Sequence, residues 1–291
     1  MSQFAGKTAV ISGGAEGIGL SIAKALGEQK MNVVLADIDQ ENLQKARLEL
    51  QSAGISVLAV ALDVADEAQW QTVAEQAVAR FGKIHMVVNN AGVGGDSGSV
   101  ENEQTKSWQW ALDVNLMGVM YGAKVMVPFI KQHGEGGWII NVASMAGMGG
   151  VPYNGAYTAT KSAVVALSES WAGELQRKGI KVSVLCPAFV KTRIYDSERN
   201  RPVQYQTDTT KAAVEPSAPS KTKGMVENGL DVSIVGKRVV EALNEGELYI
   251  FTHPNYRTVV QQRFDAIDAA FARAAQSPLL QHIVNQKLDM L

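Results

Sequence analysis

Tyr157 and Lys161 stand four residues apart, and Ser144 lies thirteen residues upstream of the tyrosine. On a helix, positions i and i+4 share a face, so the ammonium can sit beneath the phenol. A cation there favours the phenolate, and a phenol that ordinarily titrates near a pKa of about 10 becomes a usable base near neutral pH. A serine hydroxyl brought alongside donates to a substrate oxygen and holds it while charge shifts. Together the three offer proton transfer to or from a hydroxyl or carbonyl oxygen. The tyrosine–lysine spacing alone arises by chance on any helix; the serine at its distance gives it weight.

A second constellation is the run ISGGAEGIGL at residues 11–20, four glycines following an apolar, β-branched stretch. Such a turn from strand to helix suits a pyrophosphate, because the helix N-terminus offers unpaired N–H groups and partial positive charge, and bare glycines let the phosphates approach. Gly13 would make the tight turn, Gly17 the close approach and Gly19 the helix-to-strand contact, with Glu16 and Ile18 in the same turn. The spacing is neither G-x-G-x-x-G nor that of a P-loop, and a merely tight turn is the alternative reading. Asp37, eighteen residues beyond Gly19 at the end of the second apolar run and followed by Ile38, can accept hydrogen bonds from an adenosine ribose and repel a 2′-phosphate. A surface turn acid is its plainer reading. With Glu16, which cannot meet a 2′-phosphate, Asp37 selects NAD over NADP.

The elements that must position these residues are legible from periodicity. The runs KTAVIS, NVVLAD, VLAVALD, HMVVNN, WIINVAS, KVSVLC and ELYIFT read as seven strands, the first six alternating with helical patterns. Continuously apolar strands alternating with helices predict an α/β fold, a doubly wound parallel sheet of about seven strands with helices on both faces. Residues 105–132 and 154–178 read as long helices. The expected organisation is a single Rossmann-type domain over 1–291. Residues 193–230, polar and rich in Pro, Ser and Thr, are a linker, a disordered insertion or a substrate lid, and the lid is preferred because Ile194, Tyr195, Tyr205 and Met225 give it something to bury. Residues 254–291 form a C-terminal helical extension, with Val260, Phe264, Ile267 and Phe271 at helical spacing.

Composition narrows the classes. A net charge of −2 over 291 residues gives no field for nucleic acid or an anionic membrane. The sole cysteine, Cys186, excludes an internal disulfide framework and reads as a small buried hydrophobe. With no secretory signal and no membrane-spanning run, a cytoplasmic location is expected. His85, His133, His253 and His282 show no ligand spacing and read as surface or core residues, so no metal is expected.

Taken together, the chain resembles the short-chain dehydrogenase/reductase family over roughly residues 5–250. The resemblance rests on the glycine turn, on LDV with Asp63 and Val64, on NNAG from Asn89 to Gly92, on Asn115, and on Ser144, Tyr157 and Lys161. It implies that Asn115, Ser144, Tyr157 and Lys161 are catalytic. It further implies that Asp63 and Val64 meet the adenine, and that Asn90, Ala91, Gly92, Tyr157, Lys161, Pro187, Val190 and Thr192 contact the cofactor. Pro187-Ala188 departs from the family's Pro-Gly beside the nicotinamide. The reaction implied is hydride exchange between NAD and a secondary alcohol or ketone; a polyol or sugar dehydrogenase and a ketoreductase are alternatives, and an NAD-sensing protein without catalysis is disfavoured by the intact constellation. Met145, Tyr153, Ile194 and Tyr195 suggest an apolar or aromatic small-molecule substrate, unless they only pack the lid. SERNRP and YIFTHP resemble stretches of members that oxidise aryl secondary alcohols. Family likeness also implies a homodimer or homotetramer.

Overall fold

The structure, a computed structural model, describes residues 2–206 and 223–287. Residues 207–222, inside the expected lid, and 288–291, at the end of the expected extension, lie outside it. The chain divides into two units, Met1–Thr252 and His253–Leu291.

In the first unit the apolar runs form β1 (Thr8–Ser12), β2 (Asn32–Asp37), β3 (Val57–Ala61), β4 (Met86–Asn89), β5 (Gly137–Val142), β6 (Ile180–Cys186) and β7 (Tyr249–Phe251). They pair in parallel throughout, in the order β3-β2-β1-β4-β5-β6-β7. The helices are α1 (Gly17–Glu28), α2 (Gln40–Ser52), α3 (Glu67–Phe81), α4 (Thr105–Leu112), α5 (Gly118–Gln132), α6 (Gly155–Leu175) and α7 (Val232–Glu245). Successive strand residues point to opposite faces. Ile11, Leu35, Val88 and Ile140 therefore join α1, α2 and α7 in one core, while Val10, Val34, Val87 and Ile139 join α3, α5 and the end of α6 in the other. Burial on both faces is why the strands read as continuously apolar.

Strand order reverses between β1 and β4. At such a switch point the connections leave in opposite directions and open a crevice at the carboxyl ends of the strands, where ligands bind in open α/β sheets. A buried polar chain fixes α6 beside it: Asn89 Nδ2 donates to Asn141 Oδ1 at 2.8 Å, and Asn141 Nδ2 donates to Ser168 Oγ at 2.9 Å. It ties β4, β5 and α6 together, with every member nearly excluded from water.

The helix expected over 105–132 is two helices joined by a π-helical turn, Asp113–Met117. A π-turn holds one more residue per turn than an α-turn and widens the backbone, and no Gly or Pro within Asp113–Met117 marks it in the sequence. The second unit is built on α8 (Arg257–Ala275), the helix expected there.

Candidate active site

Helices α2, α3 and α7 each begin at an aspartate, Asp39, Asp66 and Asp231, whose side chain accepts from a first-turn N–H. Helix α1 begins differently. Its N-cap, Glu16, is extended and makes no side-chain cap bond, so the first-turn donors of α1 are held for another acceptor. Gly13 and Gly17 both take left-handed backbone, with φ of 61° and 58°. A Cβ on Gly13 would lie 2.7 Å from Asn90 Nδ2, and one on Gly19 would lie 2.1 Å from the Gly13 carbonyl oxygen. Gly19 thus seats α1 on the turn itself as much as on a strand. Asn90 Nδ2 donates to the carbonyls of Ser12 and Gly13, each at 2.9 Å, and the Ser12 hydroxyl accepts from the Asn90 and Ala91 amides.

Asp37 stands beside this turn. Its Oδ2 accepts from Ala15 N and its Oδ1 from Asp39 N, each at 3.0 Å. Burial pushes its pKa up, opposed by these backbone bonds. Its neighbour Ile38 is exposed. Asp63 Oδ1 accepts from Ala65 N at 3.0 Å, and the Val64 carbonyl accepts from Trp70 Nε1 at 3.1 Å. An uncapped helix, glycines whose replacement would fill the turn, and a carboxylate at the end of β2 fit a dinucleotide with free ribose hydroxyls.

The second half of the site is built on α6. Lys161 is nearly fully buried; its Nζ donates to the Val142 carbonyl at 2.8 Å and lies 5.6 Å from the Tyr157 ring centroid. Loss of water pulls the Lys161 amine down to about 8. The same loss raises Tyr157 above its ordinary value, and a hydrogen bond with Ser144 opposes the rise. Ser144 in turn donates to the Pro187 carbonyl at 3.4 Å and accepts from Ala146 N at 3.1 Å. Cys186, buried near Lys161, has its thiol pushed up to about 12 by burial, so it remains a thiol. In the π-turn, Asn115 is fully buried; it accepts from Val93 N at 2.8 Å and donates to Val93 O at 2.9 Å and to Thr160 Oγ1 at 3.3 Å. A Cβ on Gly92 would stand 3.3 Å from both Asn115 Oδ1 and Lys161 Nζ. The NNAG loop, the π-turn and α6 therefore converge on one point.

The chain leaving β6 closes the other side. Phe189 O and Lys191 N bond to Leu230 across an isolated bridge, which turns the N–H and C=O of Val190 itself the opposite way. Thr192 Cγ2 comes to 3.3 Å of a Cβ placed on Gly17. Beyond it Arg199 pairs with Glu16, Ser197 Oγ accepts from Gly94 N at 3.0 Å, Arg201 pairs with Asp96 at 2.9 Å, and the Tyr205 hydroxyl donates to Asp113 Oδ2 at 2.8 Å. Residues 193–206 thus form a strap running from the glycine turn to the end of α4. Arg199, Ser197 and Arg201 each also have a partner three residues away, but the contacts that tie the strap to the glycine turn, the NNAG loop and Asp96 span about a hundred residues or more and leave no local sequence signal. Met145 opens a short 3-10 turn just after Ser144, Ile194 begins the strap, and Tyr153 and Tyr195 are exposed.

The structure also joins two histidines that the sequence left apart. His85 and His133 lie with ring centroids 4.5 Å apart, beside Glu135, at the amino ends of the central strands β4 and β5. His85 Nδ1 accepts from Thr8 N, and His85 Nε2 meets Glu135 Oε2. His133 Nε2 meets the Ile84 carbonyl, and Glu135 N donates to His133 Nδ1. All four ring nitrogens are engaged within the protein, the pattern of a structural knot.

Residues 7–202 match the family model of the short chain dehydrogenases. A CLA biosynthesis dehydrogenase/reductase of Lactiplantibacillus plantarum is 34% identical over 92% of this chain and 95% of its own length. A C alpha-dehydrogenase of a Sphingobium species is 30% identical over 96% and 90%. Among solved structures, a short chain dehydrogenase/reductase from Burkholderia phymatum in complex with NAD superposes with a TM-score of 0.86 at 35% identity, covering both chains fully. The chain belongs to the short chain dehydrogenase family. As a short chain dehydrogenase it is an oxidoreductase.

Proposed function

We propose that the chain interconverts an apolar, aryl-bearing secondary alcohol and its ketone, with Tyr157 as acid and base. The observation that carries the chemistry is the convergence of Ser144, Tyr157 and buried Lys161 at the carboxyl end of β5. NAD, when bound, accepts the hydride in oxidation and its reduced form returns it in reduction. Tyr157 takes the hydroxyl proton during oxidation and gives it back during reduction. Ser144 donates to the substrate oxygen and holds it near the phenol. Lys161 supplies the positive charge that favours the phenolate and would hold the nicotinamide-side ribose. Asn115 keeps the π-turn locked to Thr160, whose hydroxyl also donates to the Tyr157 carbonyl at 2.9 Å.

Gly13, Gly17, Ile18 and Gly19 would hold the pyrophosphate, Asp37 the adenosine ribose, and Asp63 and Val64 the adenine edge. Asn90, Ala91 and Gly92 shape the floor, and Pro187, Val190 and Thr192 would border the nicotinamide. Replacing Asp37 with Ala is expected to weaken NAD binding about tenfold to a hundredfold, the range for charge-assisted hydrogen bonds. NADP binding should hold or improve as the repulsion goes. Titration with both dinucleotides checks this; an unchanged ratio of affinities would refute the role.

Met145, Tyr153, Ile194 and Tyr195 support the apolar, aryl reading. Tyr153 sits in left-handed backbone, φ 63°, with its ring exposed four residues before Tyr157. Such strain is kept where the surroundings impose it, and it clusters at sites. A panel of benzylic, alicyclic and polyol alcohols, followed by NADH absorbance, tests the class: benzylic alcohols should exceed polyols by about tenfold or more in kcat/KM. Preference for polyols would overturn it.

The strap at 193–206 would close over the nicotinamide end, with the expected lid continuing to residue 230. Loosening it through Arg199→Ala should speed NADH release about fivefold, the loss of roughly 1 kcal/mol for a networked ion pair. Stopped-flow displacement of bound NADH reads this, and an unchanged rate would mean that the strap does not retain the cofactor. The reading also includes a cytoplasmic homodimer or homotetramer. Among the described residues no helix is long and apolar enough to cross a membrane. Light scattering that gives a monomer at micromolar concentration would contradict the assembly.

A further inference from the structure

Helix α6 carries both Tyr157 and Lys161, and its own N-cap does not close it. Asn154, in that position, makes no side-chain cap bond, and its Oδ1 is buried without a partner. The cap comes from Glu103, 52 residues earlier: Gly155 N donates to Glu103 Oε1 at 3.2 Å. Glu103 Oε2 accepts from Trp108 Nε1, so the indole holds the carboxylate in place from the side of α4. Only a glycine at 155 leaves room for this, since a Cβ there would stand 2.6 Å from Glu103 Oε1 and 3.1 Å from Trp108 Cζ2. The cap also has something to resist. The chain enters α6 through Tyr153 in left-handed backbone, tied to the preceding loop by Gly98 N donating to the Tyr153 carbonyl at 3.0 Å.

We infer that Glu103 is a positioning residue for Tyr157. A carboxylate at a helix N-terminus satisfies an orphan donor and lies at the favourable end of the helix dipole. Here it pins the first turn of α6 two residues before the phenol, which sets where the hydroxyl stands relative to Ser144. Lys161 lies a turn deeper and is held separately by the Val142 carbonyl. Losing the cap should therefore move Tyr157 and leave Lys161 in place. Trp108 and Gly155 serve the same contact, one by donating to the carboxylate and the other by leaving space for it. The inference rests on Tyr157 being the acid/base.

Two readouts test it. Glu103→Ala should lower kcat about tenfold per folded active site, with NAD affinity unchanged, because the cap acts on the proton-transfer group alone. Gly155→Ala, which displaces the carboxylate, should do the same, and Glu103→Gln, which keeps one acceptor for Gly155 N but turns an NH2 group toward Trp108 Nε1, should recover only part of the loss. Peptide-resolved hydrogen exchange needs no substrate: in Glu103→Ala and Gly155→Ala the amides of residues 155–158 should exchange about tenfold faster, with those beyond Lys161 unchanged. Wild-type exchange at 155–158 in both variants would overturn the inference even if no substrate had been found. So would kcat and NAD affinity falling together. Failure of the wild type to turn over any alcohol would instead strike at the assignment of Tyr157 and leave the exchange result to decide the cap.

Discussion

Tyr157→Phe is expected to slow alcohol oxidation by about 10²–10⁴-fold, the usual worth of a positioned acid/base, while NAD affinity stays within about twofold. The substitution removes one hydroxyl and keeps the ring over Lys161. The pH profile supplies a second check. Burial raises the Tyr157 phenol and lowers the Lys161 amine, so the free pair resists holding two charges in a site closed to water. Oxidation needs the phenolate and is lost as pH falls below the apparent pKa of the pair; ketone reduction needs the phenol and is lost as pH rises through it. Steady-state rates with dinucleotide titrations measure both. Residual turnover within tenfold of wild type would show that another group moves the proton.

Lys161→Met is expected to abolish most turnover and yet stabilise the fold. The amine titrates near 8 in the folded chain against an ordinary value of 10.5, so its charge opposes folding. The sign follows from proton counting. Between 8 and 10.5 the unfolded chain binds more protons, so stability rises with pH there; below 8 the penalty is present in full. Methionine fills a similar volume without the charge. After allowing for the lost bond to the Val142 carbonyl, the gain should be roughly 2 kcal/mol at pH 7, turning into a small loss as pH rises past about 10 and the charge penalty disappears. NAD affinity should fall with the rate if the ammonium serves ribose and phenolate alike, as proposed. Denaturant melts at pH 7 and 10 check the stability. A variant less stable than wild type at pH 7 would mean that the ammonium stabilises its pocket and is not held there at a cost.

The sheet and the central residues were legible because their signals are local. Apolar β-branched runs gave all seven strands, and the spacing of Ser144, Tyr157 and Lys161, with Asp37 at a strand end, named the chemistry. What escaped depends on contacts between distant residues or on small departures from a period. The π-turn at Asp113–Met117 holds no Gly or Pro to announce a break, so residues 105–132 read as one helix. Apolar residues such as Ile194 and Tyr195 mark the strap as part of a lid, but its polar anchors stay hidden, because Arg199 and Arg201 look solvated until Glu16 and Asp96 face them. Glu103 is one acid among 29 acidic residues until the fold brings it to Gly155. His85 and His133 showed no spacing because adjacent parallel strands bring their loops together, a register that no single segment encodes.

The proposed chemistry at this site moves hydride from a carbinol carbon while Tyr157 carries the proton. The most direct test supplies NAD and a benzylic secondary alcohol deuterated at the carbinol carbon, and reads the isotopic mass of the dinucleotide product. One deuterium per reduced dinucleotide is expected with the wild type, with formation slowed by at least about a hundredfold in Tyr157→Phe. Reduced dinucleotide without deuterium, or equal formation by wild type and variant, would contradict the account.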